Sequence, residues 1–323
     1  MIPSVVLAPL AGGPSTPELA AAVANAGGLG FVAAGYLTPD ELATRLEQAR
    51  ALTDGPLGVN LFVLEERPVD DQAVATYARE LEAEGNEVGE PHFDDDRFAE
   101  KVAVAIDDKV DVISTTFGPP PAQLVEAARA AGIAVWATVA GVEDGLRAVA
   151  SGADVLVLQG SEAGGHRASF DDADEGDTPL LELLAALGDA VDVPLVASGG
   201  IADRTTADAA RSAGAVAVQA GTAFLLCPEA GTNAPHRTAV ARGGPTAITR
   251  AFTGRRARGI VNGFMRDHPD APSAYPHIHY VTAPLRAAAR AAGDAERINL
   301  WAGTNVCLAR ERPAADLVAE LRP

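Results

Sequence analysis

Eight short apolar runs rich in valine, isoleucine and leucine punctuate the chain: 5–9, 29–34, 57–62, 110–115, 133–139, 154–159, 194–198 and 215–221. Each is about the length of a strand buried on both faces, and alanine-rich, helix-like segments separate them. Strands that alternate with helices build βαβ units and a parallel sheet, and eight such units close into a (β/α)8 barrel. The helix starts agree with this reading. Ser15-Thr16-Pro17-Glu18 and Thr38-Pro39-Asp40-Glu41 each place a hydroxyl cap before a proline in the first turn.

The alternation fails in two places. From Glu65 to Phe98 the chain turns polar and acidic, including Glu80–Glu90 and Asp94-Asp95-Asp96, and reads as an exposed, solvated helix and loop after the third strand. The aspartates lack the spacing of a calcium loop, and no metal is expected there. From Cys227 to Leu300 the chain gains polar, basic and proline-containing sequence, with a helical stretch over Pro284–Ala292. The expected fold is a TIM barrel with a mostly helical excursion after strand 8 covering the barrel mouth. Residues 1–226 and 301–323 form the barrel, and residues 227–300 form a substrate-side insertion. A short acidic loop, Asp171–Asp177, is placed to act as a lid.

The ends of the apolar runs carry the candidate chemistry. Ala8-Pro9-Leu10-Ala11-Gly12-Gly13, Asn60, Thr115-Thr116-Phe117-Gly118, Gln159-Gly160, Ser198-Gly199-Gly200 and Gln219-Ala220-Gly221-Thr222 all fall at strand ends. A barrel brings these ends to one face, where its active site lies. Glycine turns after the seventh and eighth strands, with helix N-termini behind them, offer N–H groups to one phosphate. A mononucleotide such as FMN fits that signal, and so does a phosphorylated substrate. Gly28-Leu-Gly30-Phe-Val-Ala33 spells a dinucleotide fingerprint, but it opens a strand instead of joining a strand to a helix, so it is read as chance. Just past the sixth run, Gly164-Gly165-His166 delivers an imidazole to the barrel mouth, where it would serve as a general base. His277 and His279 could offer two imidazoles on one side of an extended segment, but without a third ligand they are given surface or packing roles; His92, His236 and His268 stand in polar, proline-adjacent loops and are assigned no chemistry.

Composition narrows the partners. The net charge of -19 over 323 residues disfavours nucleic acid and anionic membrane surfaces. Lysine occurs only at 101 and 109, neither at a strand end, so Schiff-base chemistry is disfavoured. Cys227 and Cys307 have no metal-ligand or framework spacing and are read as buried thiols in a reducing cytoplasm. Met1-Ile-Pro-Ser-Val-Val shows no basic leader, and no apolar run reaches the ~18 residues of a membrane span. There is no serine elbow, no paired CxxC and no P-loop.

Six segments together resemble the nitronate monooxygenase family, formerly the 2-nitropropane dioxygenases. They are Ala8–Gly13, Gly58-Val-Asn60-Leu-Phe62, Val157-Leu-Gln159-Gly160-Ser-Glu-Ala163-Gly-Gly-His166-Arg-Ala-Ser-Phe170, Ala197–Ala202, Gln219–Thr222 and Trp301-Ala-Gly303. The resemblance implies an FMN-dependent barrel enzyme. It would oxidise alkyl nitronates, or nitroalkanes, with dioxygen to carbonyl compounds and nitrite. His166 would be the base. Pro9, Leu10 and Asn60 would lie near the flavin ring, and Gln159 and Gly165 alongside it. Gly199, Gly200, Gln219, Gly221 and Thr222 would form the phosphate end. Leu10 and Thr304 depart from the methionine and glutamine frequent in the family, and Thr304 bears on substrate more than on FMN. The chain is expected to be a cytoplasmic monomer or homodimer. An NAD(P)H-dependent quinone or enoyl reductase of the same fold, and a flavin-free barrel acting on a phosphorylated substrate, remain the alternatives.

Overall fold

The computed structural model describes residues 2–173 and 177–323. Nine strands follow one another before the excursion: β1 (Val5–Leu7), β2 (Gly30–Ala33), β3 (Leu57–Phe62), β4 (Val112–Thr116), β5 (Ala134–Val139), β6 (Val155–Gln159), β7 (Gly165–His166), β8 (Leu195–Ser198) and β9 (Ala217–Ala220). All but β7 belong to one eight-stranded parallel sheet in the order β1-β9-β8-β6-β5-β4-β3-β2. Parallel pairing of Val6 with Leu29 joins the two ends, so the sheet closes into a barrel. Each of the eight apolar runs supplies one barrel strand. Thr16 and Thr38 cap their helices through Oγ1, the second in a full capping box with Glu41.

Side chains along a strand alternate between faces, and this alternation builds the site. Outward residues such as Val5, Leu7, Val59, Leu156, Leu158 and Ala197 pack with the surrounding helices in the main core. Inward residues Val6, Phe31, Val112, Trp136, Val155, Val157, Val196 and Ala217 form a separate apolar plug. Gly58 makes room for the Phe31 ring, since a Cβ there would lie 2.6 Å from it. Moving up from this plug, inward positions carry Asn60, Thr116, Thr138, Gln159, Ser198 and Gln219, with Phe62 beyond Asn60. The barrel therefore has a dry floor and a polar rim. Gly30, from the chance dinucleotide spelling, serves packing: a Cβ would sit 2.1 Å from the Ala20 carbonyl oxygen of the adjacent helix.

The excursion contains helices Ala234–Arg242, Gly263–Asp267, His277–Val281 and Ala283–Ala292, together with a hairpin of β10 (Thr246–Thr249) and β11 (Ala257–Ile260). β7 joins that hairpin as a third strand, pairing His166 with Ala257 and Gly165 with Arg258. The acidic insertion is less solvated than its composition indicates. Its helix Asp71–Ala83 buries Val74, Tyr77 and Leu81 against Phe252, Phe264, Ile278 and Leu285 of the excursion, and the Tyr77 hydroxyl donates to the Ala251 carbonyl at 2.8 Å. Asp94 accepts the Tyr280 hydroxyl at 2.8 Å, and Asp96 takes the Tyr36 N–H and pairs with the fully buried Lys101 at 2.7 Å. The apolar face of a short helix was hidden among its charges. Cys227 is buried, and burial pushes its thiol up to about 12, but Cys307 is exposed, contrary to expectation. The acidic loop 171–177 lies partly outside the described residues. Among those described, no helix is long and apolar enough to cross a membrane.

Candidate active site

One cavity of about 400 Å³ opens at the polar rim, and it is lined by the candidate base and cofactor residues Pro9, Leu10, Asn60, Gln159, Gly165, His166, Gly199, Gly200, Gln219, Gly221 and Thr222, whereas Gly13, Thr115, Gly118, Gly160 and Ala220 of the strand-end segments do not line it. Its two ends differ in chemistry. At one end Gly199 and Gly200 turn with φ of +110° and +69°, a region that suits glycine, and Asn305 Nδ2 holds the Gly200 carbonyl at 2.6 Å. The backbone N–H groups of Gly200, Gly221 and Thr222 make no hydrogen bond to the described residues, while Thr222 Oγ1 accepts from Gly303 N at 2.9 Å and keeps its own proton to donate. The helix after β8 is not free to help, because Asp203 caps it and bonds Thr206 N at 2.9 Å. The unfilled donors come from the turns themselves.

Asn60 and Gln159 have distinct tasks. Asn60 Nδ2 donates to Ser114 Oγ at 2.8 Å and to Thr116 Oγ1 at 3.0 Å, which fixes the amide at the rim. Gln159 spends both ends on β7 and the residues just after it: Nε2 donates to His166 O at 3.0 Å, and Oε1 accepts from Ala168 N at 2.9 Å. Its amide thus positions the histidine strand.

His166 stands among rings, with Phe117 at 5.9 Å, Tyr275 at 5.6 Å and Trp301 at 5.5 Å between centroids. Nε2 meets Thr253 Oγ1 at 2.9 Å; Nδ1 has no hydrogen-bond partner among the described residues and is not sealed in protein. Burial lowers the His166 pKa to about 3, helped by the charges of Arg255 and Arg286. The imidazole is therefore held neutral far below the range expected of an exposed histidine. For Nδ1 to accept a proton, Nε2 must carry the ring hydrogen and donate to Thr253. The Arg255 carbonyl, 3.3 Å from Thr253 Oγ1, takes the hydroxyl proton in that arrangement. Arg255 itself is buried over the Phe117 ring at 4.0 Å and donates to the Arg167 and Ser169 carbonyls.

Apart from Trp301, the far wall was not legible in the sequence. Tyr36, Trp301, His236, His279 and Arg286 line the cavity there. His236 is buried in a helix, bonds the Trp301 carbonyl through Nε2 at 3.1 Å and has its pKa lowered to about 4 by burial. His279 stacks on Tyr36 at 4.3 Å. His236 sits in a helix and not in the polar loop its context indicates, and His279 packs from a short helix and not from an extended segment. Among the described residues no group of histidines, cysteines and carboxylates could hold a metal ion.

The pattern of the nitronate monooxygenase family matches residues 1–323. A nitronate monooxygenase of Pseudomonas aeruginosa is 39% identical over 339 residues, covering 98% of this chain and 94% of that protein. One from Paraburkholderia phytofirmans is 35% identical over 337 residues, covering 98% and 90%. The solved structure of a nitroalkane oxidase from Streptomyces ansochromogenes superimposes with a TM-score of 0.95 at 44% identity, covering 98% of this chain and 94% of that one. With sequence and fold in register from end to end, this chain belongs to the nitronate monooxygenase family, whose members are in general flavin oxidoreductases.

Proposed function

We propose that the protein is an FMN-dependent enzyme that oxidises alkyl nitronates, and nitroalkanes after deprotonation, with dioxygen as the second substrate. The observation that carries this reading is the convergence of an unfilled N–H cradle, a small-residue wall and a neutral imidazole on one cavity. The residues fit the cofactor. Gly199, Gly200, Gln219, Gly221 and Thr222 would hold its phosphate, and Pro9, Leu10, Asn60, Gln159 and Gly165 would border its ring. At Gly165, φ is +79° and a Cβ would meet nothing within 4 Å, so the backbone faces open cavity. Bound FMN would supply the redox chemistry between the nitronate and dioxygen.

The chain's own residues handle the proton. His166 takes it from the carbon beside the nitro group: the C–H bond breaks, an N–H bond forms at Nδ1, and the electron pair enters the nitro group as the C=N bond of the nitronate forms. Phe117, Tyr275 and Trp301 exclude water around the imidazole, which strengthens the interaction of its charged form with the new anion. A substrate that arrives as nitronate bypasses this step.

The test is the visible spectrum of the purified protein, followed by anaerobic propyl-1-nitronate and, separately, NADH. A flavin spectrum that changes with the nitronate and is unaffected by NADH supports the proposal. Bleaching by NADH alone moves the chain to the reductases. A colourless protein that cannot be reconstituted with FMN leaves a phosphorylated-substrate barrel.

A further inference from the structure

Across the cavity from the glycine turns, His279 and Arg286 form a built polar pair that the proton-transfer scheme does not use. Arg286 donates from one nitrogen to the His279 carbonyl at 2.7 Å and reaches His279 Nδ1 at 3.3 Å, while its Nε is held by Thr282 Oγ1 at 3.0 Å. A guanidinium has donors only, so Nδ1 must be the unprotonated nitrogen and the ring hydrogen sits on Nε2. Nε2 has no partner among the described residues and is not sealed in protein, and the ring lines the cavity. Stacking on Tyr36, with planes 3° apart, fixes the ring's orientation. Arg286 is 6% exposed and forms no ion pair with the described residues, so its charge acts on whatever fills the cavity. Tyr275 lies between the two imidazoles, 5.6 Å from His166 and 6.4 Å from His279.

We infer that His279 donates a hydrogen bond from Nε2 to an oxygen of the substrate's nitro group as the nitronate forms, with Arg286 fixing the tautomer and supplying positive charge behind it. The inference rests on the function proposed above. When His166 removes the proton, one unit of negative charge spreads over the two nitro oxygens, and a preorganised donor aimed at that charge lowers the barrier. His279 transfers no proton in this scheme. Burial and Arg286 hold its pKa well below the imidazole range, so the donor stays neutral at working pH. A neutral imidazole gives up a hydrogen bond to an anion without then holding it as a tight ion pair.

The experiment uses flavin-loaded His279→Phe, which keeps an aromatic ring for Tyr36 but has no N–H, and His279→Gln, which restores a donor. Turnover is measured on nitroethane and propyl-1-nitronate, and nitrate serves as a planar competing anion. The expected result for His279→Phe is a loss of about 10²-fold in kcat/KM on nitroethane, a smaller loss on the nitronate, and nitrate inhibition weakened about tenfold, with His279→Gln recovering most of it. A His279→Phe enzyme with full flavin that stays within threefold of wild type on nitroethane overturns the inference. So does a loss of equal size on nitroethane and on propyl-1-nitronate with nitrate inhibition unchanged, which would make the pair structural. A wild-type protein without flavin or nitronate oxidation overturns the functional proposal itself, and this inference with it.

Discussion

Thr253→Val isolates what orientation of the base is worth. Thr253 is 2% exposed, and its hydroxyl is the sole partner of His166 Nε2 among the described residues, at 2.9 Å. Valine fills nearly the same space but removes the acceptor, leaving Nε2–H unpaired in a ring-lined pocket and the imidazole free to turn. An unsatisfied buried donor costs about 1–3 kcal/mol, and the lost orienting bond falls mainly on the transition state, in which His166 is an imidazolium and needs that acceptor most. Taking about 1–2 kcal/mol of the total as transition-state loss gives a drop of roughly 5- to 30-fold in kcat/KM for nitroethane. Oxygen consumption with nitroethane reads this directly. Propyl-1-nitronate, which needs no deprotonation, should stay within about threefold, and Thr253→Ser should restore nitroethane turnover. A Thr253→Val enzyme that turns over nitroethane at the wild-type rate would refute the reasoning, as would losses of equal size on both substrates.

His166→Asn should retain FMN yet cut turnover of neutral nitroalkanes about 10²-fold, with nitronate oxidation less affected, as measured by nitrite release. Gly200→Asp should lose flavin because it sets a carboxylate beside the phosphate end, whereas Gly200→Asn, of nearly the same shape but uncharged, should retain more; flavin absorbance per protein distinguishes them. Lys101→Met removes the counter-charge of Asp96 from a fully buried position and should cost about 3 kcal/mol or more in urea denaturation, with Asp96→Asn in the same chain recovering part of the loss. The buried His236 has a folded pKa of about 4 against an ordinary 6.5, so below pH 6.5 the unfolded chain takes up a proton that the folded chain refuses. Stability should therefore fall as pH drops from 6.5 towards 4, by about 2 kcal/mol at pH 5 from this group, and His236→Gln should flatten the slope of urea midpoint against pH.

The barrel was legible because each of its strands is a run of apolar residues long enough to stand out, and because the strand ends carry amides, hydroxyls and glycines in register. The convergence of Asn60, Gln159 and Gln219 follows from strand alternation once closure is assumed, and His166 follows Gln159 by seven residues. The remainder depends on contacts between distant segments. β7 is two residues long and has no periodicity to detect, and the hairpin strands Thr246–Thr249 and Ala257–Ile260 carry little apolar signal of their own. Arg286 sits in an alanine-rich helix where a guanidinium reads as a solubilising charge, and nothing local ties it to His279 or to a cavity. His236 reads as a loop residue beside a proline, and His279 as half of a metal pair with no third ligand, because the contacts that bring both to the cavity come from distant segments. The acidic run misled because composition outweighs three apolar positions, Val74, Tyr77 and Leu81, spaced for one helix face.

The pairing of β7 with β11 puts the histidine on the sheet of the excursion, while Gln159 ties the same strand to the top of the barrel. The strand is a coupling between two bodies, held from both sides over two residues. Any opening of the excursion that admits a substrate or releases a product must therefore stretch one of these attachments and withdraw the base from its working position. In such an opening, access and proton abstraction would share a single mechanical coordinate, with the base in its working position only while both attachments hold.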